Sequence, residues 1–315
     1  MRRLLVALCF VGTAALAVGV APAVQADPVP MAPGSADAGS GAATAATVPP
    51  AAADGAPFTA HGSVEQVYAY GLGAGSAVAL LSSGGATVQS ATADANGAIL
   101  FRKVAPGTGY QVQTAAGTVT GLTVTDPETH PSEQQYRDLA QAEPIGAGFG
   151  YLTTRDGTKL SINVTMPKDG STGPWPVIVN YSGYDPSQPG DPPQEVGFYP
   201  YQGYVTVGVN LRGTTCSGGA FEFMEALQGL DGYDVIETLA QQTWSNGHVG
   251  MAGISYSGYS QLYVGATNPP HLDAIAPASP FSDTYSGILY PGGILNDGFA
   301  VDWATEREDD AKPKA

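Results

Sequence analysis

The chain has 315 residues and sets 28 acidic side chains against 12 basic ones, a formal charge of −16. With no basic cluster, that balance excludes nucleic acid and anionic membrane surfaces as partners. Hydrophobic residues make up 43% of it, enough in a chain this long to bury a core without cross-links.

In chain order, Arg2-Arg3, the apolar run from Leu4 to Val20 and the small-x-small stretch Val24-Gln25-Ala26 read as a secretory signal peptide over 1–26, with Asp27 opening the mature chain. The expectation is a secreted, extracellular protein with no membrane association after cleavage, since no later apolar run could span a bilayer. Cys9 leaves with the leader, so Cys216 is a single thiol with no intrachain disulfide, a packing or loop residue. Residues 27–56 are Ala, Gly, Pro and Ser with almost no large side chains. Such a stretch cannot bury enough apolar surface to offset its chain entropy and predicts a disordered linker.

Over 57–125 the pattern changes to short strand-like runs such as Val78-Ala79-Leu80-Leu81, Ile99-Leu100-Phe101 and Leu122-Thr123-Val124. Turn clusters separate them at the spacing of a small all-β sandwich module. Asp94-Ala95-Asn96-Gly97 reads as a hairpin turn rather than a set of calcium ligands. The polar stretch over 126–144 predicts a connector.

From 145 to 315 the pattern is α/β, with a mostly parallel sheet covered on both faces. A hairpin at Arg155-Asp156-Gly157 is followed by buried-type strands at Pro176–Tyr181 and Tyr204–Val209. Asp231 to Gln242 has helical spacing, and a further strand runs over Leu272–Ala276. Between the last two lies Val249-Gly250-Met251-Ala252-Gly253-Ile254-Ser255-Tyr256-Ser257-Gly258, an apolar strand entering a glycine-flanked serine ahead of a second helix. Helix, strand, sharp turn and helix are the context in which such a serine is exposed as a nucleophile. Ser255 is therefore the candidate acyl-transfer nucleophile. The backbone N–H of Tyr256 is one oxyanion donor, and the loop Tyr181–Pro186 is the place for another.

These residues, with others in the same order, resemble the secreted serine hydrolases related to cocaine esterase and X-Pro dipeptidyl-peptidases. The matching positions are Asp156-Gly157-Thr158-Lys159-Leu160, Tyr184-Asp185, Arg212-Gly213-Thr214, Ser217-Gly218-Gly219 and Trp244 to Met251. The elbow Gly253 to Gly258 fits the family's Gly-x-Ser-Tyr-x-Gly. The resemblance covers about 145 to 315. It implies an α/β-hydrolase fold with Ser255 as nucleophile, and an oxyanion hole made by the Tyr184 hydroxyl and the Tyr256 N–H. A phenol suits that task because it can donate to developing negative charge. The β-rich segment resembles an extra module of some actinobacterial relatives.

The family's acid and histidine follow a helical cap, so they are expected beyond Ala315. The sheet would then be incomplete at its C-terminal end and the 315 residues inactive alone. None of His61, His130, His248 and His271 suits the base: the first two precede the α/β part, and the others stand at the wrong end of their strands. Asp231 and Asp234 read as exposed helix residues. Asp283 and Tyr285 follow a strand end and are candidates for the pocket lining. No zinc-protease, Rossmann or P-loop pattern is present, so no metal and no cofactor are expected. The reading is a secreted serine hydrolase of acyl esters or peptides. X-Pro dipeptides, aromatic esters and β-lactam acyl groups all remain open as substrates, as does the oligomeric state. The competing reading is a non-catalytic extracellular binding protein with a degenerate hydrolase scaffold.

Overall fold

The computed structural model describes residues 56–223 and 225–310. The expected signal peptide and nearly all of the expected linker lie outside the described residues. The chain divides into two units, Met1–Ala45 and Ala46–Ala315, and every described residue falls in the second.

Its first part is two antiparallel sheets. One orders β1 (Thr59–Gly62), β2 (Gln66–Tyr70) and β5 (Ala98–Arg102); the other orders β4 (Thr87–Thr92), β3 (Ala77–Leu81), β6 (Gly107–Thr114) and β7 (Gly117–Val124). Alternate residues, among them Val67, Ala69, Val78, Leu80, Phe101, Val112 and Leu122, close a common core. The Asp94–Gly97 turn is built by Asp94 Oδ1, which accepts from the N–H groups of Asn96 and Ala98. It links β4 in one sheet to β5 in the other, so it is a corner between sheets and not a hairpin within one.

The expected connector contains a helix, α1 (Glu133–Ala142), started by a reciprocal Ser132–Gln135 capping box. Only Tyr136 and Ala140 of it are buried, which is why its sequence reads as polar.

The second part is a six-stranded sheet of β8 (Gly148–Thr153), β9 (Lys159–Thr165), β10 (Trp175–Ser182), β11 (Val205–Asn210), β12 (Ser245–Ile254) and β13 (Leu272–Ala278). The spatial order is β8-β9-β11-β10-β12-β13. The first two strands pair antiparallel, and β11, β10, β12 and β13 run parallel. This is an α/β-hydrolase sheet. Every residue of β11 is buried, as expected for a strand covered on both faces. Among the described residues this part carries the α-helices α2 (Ala226–Ala240), α3 (Tyr256–Ala266) and α4 (Ala300–Asp310). Among the described residues no helix is long and apolar enough to cross a membrane.

The structure also corrects the reading of α2. Asp231 and Asp234 are not exposed: α2 is buried almost all round, and both carboxylates are sealed in ion pairs. Arg212 grips Asp231 with Nε (2.8 Å) and Nη2 (2.6 Å), and reaches Asp156 (2.8 Å) and Thr158 Oγ1 (3.0 Å) with Nη1. Asp156 also accepts from Ser63 Oγ at 2.5 Å, joining the β-sandwich to the hydrolase sheet. Arg155 binds Asp234 alongside, through its backbone N–H (2.7 Å) and its guanidinium (2.9–3.1 Å).

Two carboxylates on one buried guanidinium do not titrate alike. Burial pushes Asp231 up to about 7 against the pull of Arg212, with the charges of Asp156 and Asp234 adding to the rise. Burial acts on Asp156 too, but there the Arg212 charge and the hydrogen bonds from Arg212, Ser63 and the Thr158 N–H win. They hold that carboxyl well below the usual range. The Asp156 contribution to stability is therefore present above about pH 4 and lost in stronger acid. The Asp231 contribution has the opposite sign: it is full below about pH 4 and lost as pH rises toward 7. Thermal melts from pH 4 to 8 are expected to show Asp231→Asn flattening the decline of Tm across this window relative to wild type. An unchanged slope in the variant would refute the assignment.

Candidate active site

Because β12 ends at Ile254 and α3 begins at Tyr256, Ser255 must redirect the chain in a single residue. It does so at φ 62°, ψ −116°, a conformation that costs a non-glycine residue about 1–3 kcal/mol. Hydrogen bonds hold the bend. The Ser255 N–H donates to the Ala278 carbonyl on β13 (3.0 Å), and the Ser255 carbonyl accepts from Gly258 and Tyr259 (each 2.9 Å). The neighbours have no room for side chains. A Cβ on Gly253 would lie 2.3 Å from Ser257 Oγ, and one on Gly258 would lie 2.2 Å from the Ala278 carbonyl oxygen. Ser255 stands at the N-cap of α3, yet its hydroxyl caps no helix N–H. The residue is exposed at the carboxyl end of the sheet, where active groups of open α/β sheets collect.

One carboxylate braces this bend. Glu195 Oε2 accepts from the Ile254 N–H (3.0 Å), Ser257 Oγ (2.8 Å) and Asn180 Nδ2 (3.2 Å). Ser257, where a simple Gly-x-Ser-x-Gly would have glycine, is thus a buried hydroxyl tying the first turn of α3 to this side chain.

Tyr184 follows β10 on the turn Gly183-Tyr184-Asp185. Its N–H donates to Ser182 Oγ (3.0 Å). Asp185, at φ 33°, is held by the hydroxyl of Thr215 and by Gln188 Nε2. A Cβ on Gly183 would lie 2.7 Å from the Tyr256 ring, so glycine lets the two tyrosines meet edge to face at 5.4 Å. Trp303 Nε1 on α4 donates to Tyr184 Oη at 2.7 Å, and the Arg307 guanidinium lies 4.7 Å from the ring centroid. Since Oη accepts from Trp303, its own proton is not engaged in that bond. Tyr256 is fully buried and is the first residue of α3, so its backbone N–H belongs to the donor-rich N-terminal turn. Tyr184 also lines a cavity of about 210 Å3 with Asn180, Ser182, Asp185, Gln188 and Glu195.

Tyr184 thus meets Tyr256, the residue that follows Ser255 in the chain. Asp283 and Tyr285 stand on a separate turn after β13. Asp283 Oδ1 accepts from the Ser286 N–H (2.5 Å) and Oγ (2.8 Å), bonds that hold its carboxyl below the usual range. Asp283 lines a different cavity, with Leu262, Tyr263 and Phe281, and Tyr285 is 62% exposed and stacks on Tyr290. The histidines are engaged elsewhere. His61 stacks on Tyr68 and His130 on Tyr233, and burial lowers the pKa of both. His248 Nδ1 meets Asp273 (2.6 Å), and His271 Nδ1 meets Glu237 (2.7 Å), at the amino ends of β12 and β13. Among the described residues no group of three or more His, Cys, Asp or Glu side chains could hold a metal ion. The residues that sequence reasoning missed are Glu195, Trp303 and Arg307. No local motif marks them, and each reaches the site from another element.

The sheet and its strand–turn–helix elbow define the class: an α/β-hydrolase, here with an exposed serine on the bend between β12 and α3. Residues 156–315 match the profile of the X-Pro dipeptidyl-peptidase (S15 family), and the chain belongs to that family. It is 30% identical over 155 residues to the cocaine esterase of Rhodococcus sp. (strain MB1 Bresler), covering 48% of this chain and 26% of that enzyme. The hydrolase SACOL2612 of Staphylococcus aureus, of the CocE/NonD family, is 31% identical over 53% of this chain and 34% of that one, with a TM-score of 0.47. The chain spans little more than a quarter of the length of two of the relatives it matches, 28% of a Mycobacterium bovis protein and 26% of the Rhodococcus enzyme.

Replacing Glu195 with Ala removes the acceptor of the Ile254 N–H and leaves Ser257 Oγ only the Ile254 carbonyl (3.0 Å), and is expected to cost about 1–3 kcal/mol in urea unfolding. It should also speed hydrogen exchange at the Ile254 amide. A variant as stable and as protected as wild type would show that Glu195 is no brace.

Proposed function

We propose that this chain carries the acyl-transfer centre of a secreted serine hydrolase acting on acyl esters or peptides. Membership of a hydrolase family supports the coarse reading. The observation that carries the finer one is an exposed serine hydroxyl left out of helix capping, on a strained bend where positions 253 and 258 have no room for a side chain. In this reading Ser255 Oγ attacks the substrate carbonyl carbon, and the carbonyl π electrons move onto oxygen. The Tyr184 hydroxyl and the Tyr256 N–H receive that oxyanion. Trp303 keeps the phenol oxygen in place while the phenol proton points at the developing charge. The proton released by Ser255 passes to a general base that is not one of the chain's four histidines. As the tetrahedral intermediate collapses, the base returns that proton to the leaving oxygen or nitrogen, which departs as alcohol or amine and leaves an acyl-serine for water to hydrolyse. Relatives named as a cocaine esterase and as an X-Pro dipeptidyl-peptidase family support ester or peptide substrates for this chain.

The test is covalent labelling. Prolonged exposure of the chain to a fluorophosphonate, followed by peptide mapping, is expected to place the adduct on Ser255, with none in Ser255→Ala. Tyr184→Phe should slow labelling by about 10²-fold, the usual cost of removing one oxyanion donor. Labelling spread over other serines, or indifferent to Ser255→Ala, would sink the reading. Hydrolysis of p-nitrophenyl acetate by the 315-residue chain is expected to stay close to that of Ser255→Ala. Turnover well above that control would put a competent base within these residues.

A further inference from the structure

The segment leading into α2 faces two ways. Phe223 packs toward the site, its ring centroid 5.2 Å from that of Trp303 and 6.0 Å from that of Tyr256. Glu222 and Glu225, on either side of it in sequence, bind the β-sandwich instead. Glu222 pairs with Arg102 at 2.5 Å. Glu225 accepts from Gln66 Nε2 at 2.8 Å, with Arg102 Nη1 at 3.6 Å. Glu225 occupies the N-cap of α2, yet its carboxylate caps no helix N–H; Gln66 and Arg102 have it. Half-exposed pairs such as Arg102–Glu222 hold little by themselves. The Gln66–Glu225 bond is more enclosed, and beside it Val64 of the sandwich buries against Leu227 and Leu230 on the first turns of α2.

We infer that the β-sandwich is a working wall of the active site rather than a separate binding module: Gln66 and Arg102 are positioning residues that hold Glu222 and Glu225 so that Phe223 supports Trp303 and Tyr256. The chain of contact is short. Arg102 and Gln66 fix Glu222 and Glu225, Phe223 between them packs on Trp303, and Trp303 donates to the Tyr184 hydroxyl. Loosening the grip frees Phe223, and with it the partner that orients the phenol. The catalytic meaning of this coupling rests on the acyl-transfer reading of Ser255; the mechanical coupling does not.

The experiment uses the 315-residue chain labelled with 5-fluorotryptophan, which has three tryptophans, Trp175, Trp244 and Trp303. The Trp303 resonance is assigned with Trp303→Phe. In the Gln66→Met, Arg102→Ala double variant the Trp303 resonance is expected to shift or broaden while those of Trp175 and Trp244 stay in place. Arg102→Lys, which keeps the charge, should leave all three near wild type. Fluorophosphonate labelling of Ser255 in the double variant should slow roughly tenfold, the scale of a small misplacement at a reacting site. Should the double variant fail to fold, each single substitution is read by the same resonance. A Trp303 resonance unmoved in a folded variant would overturn the inference. Absence of labelling at Ser255 even in the wild type would instead overturn the acyl-transfer reading and leave the resonance to decide the coupling.

Discussion

The backbone of Ser255 is the constraint around which the hydrolase part is arranged. A serine at φ 62° survives only where surrounding structure over-determines it, and each neighbour contributes. Strand β13 supplies the Ala278 carbonyl that accepts the Ser255 N–H, and the same carbonyl forbids a side chain at position 258. Ser257 fills the space that a residue larger than glycine at 253 would need, and turns its hydroxyl to Glu195. Sheet pairing, helix start and bracing carboxylate all converge on one residue. The result is a hydroxyl that the fold does not consume.

A second constraint lies behind the first. Arg212 draws the β8–β9 turn, α2 and the β-sandwich onto one buried guanidinium through Asp156, Asp231 and the Ser63 hydroxyl. Burying such charges is costly, and a pair of this kind destabilises strongly when one partner is removed. Its value is geometric: it pins α2, through Asp231 in its second turn, to the β8–β9 turn. The ion network and the aromatic cluster are two ends of the same helix entrance.

Much of this was legible in the sequence, and the division is physical. The elbow could be read because its demand is local: small residues at fixed offsets around Ser255, an apolar strand before and a helix after. The strands over Pro176–Tyr181 and Tyr204–Val209 could be read from runs rich in β-branched residues. Tyr184 came from resemblance, since nothing in its own neighbourhood distinguishes it from a turn aromatic. The burial of Asp231 and Asp234 was hidden because their partners, Arg212 and Arg155, approach from other elements. A helix carrying two aspartates reads as solvated until those cations are seen. Helix α1 was hidden by its polarity, although Ser132 and Gln135 stood at capping-box spacing. Glu195 and Trp303 had no signal at all, because each acts through a hydrogen bond across some 60 to 119 residues of sequence.

The most direct measurement is a crystal structure of the chain carrying a phosphonate on Ser255. The account predicts a phosphonyl oxygen roughly 3 Å from both the Tyr184 hydroxyl and the Tyr256 N–H, with the Trp303 bond to the phenol intact. An oxygen turned to solvent, or a Tyr184 hydroxyl directed away from the adduct, would contradict it.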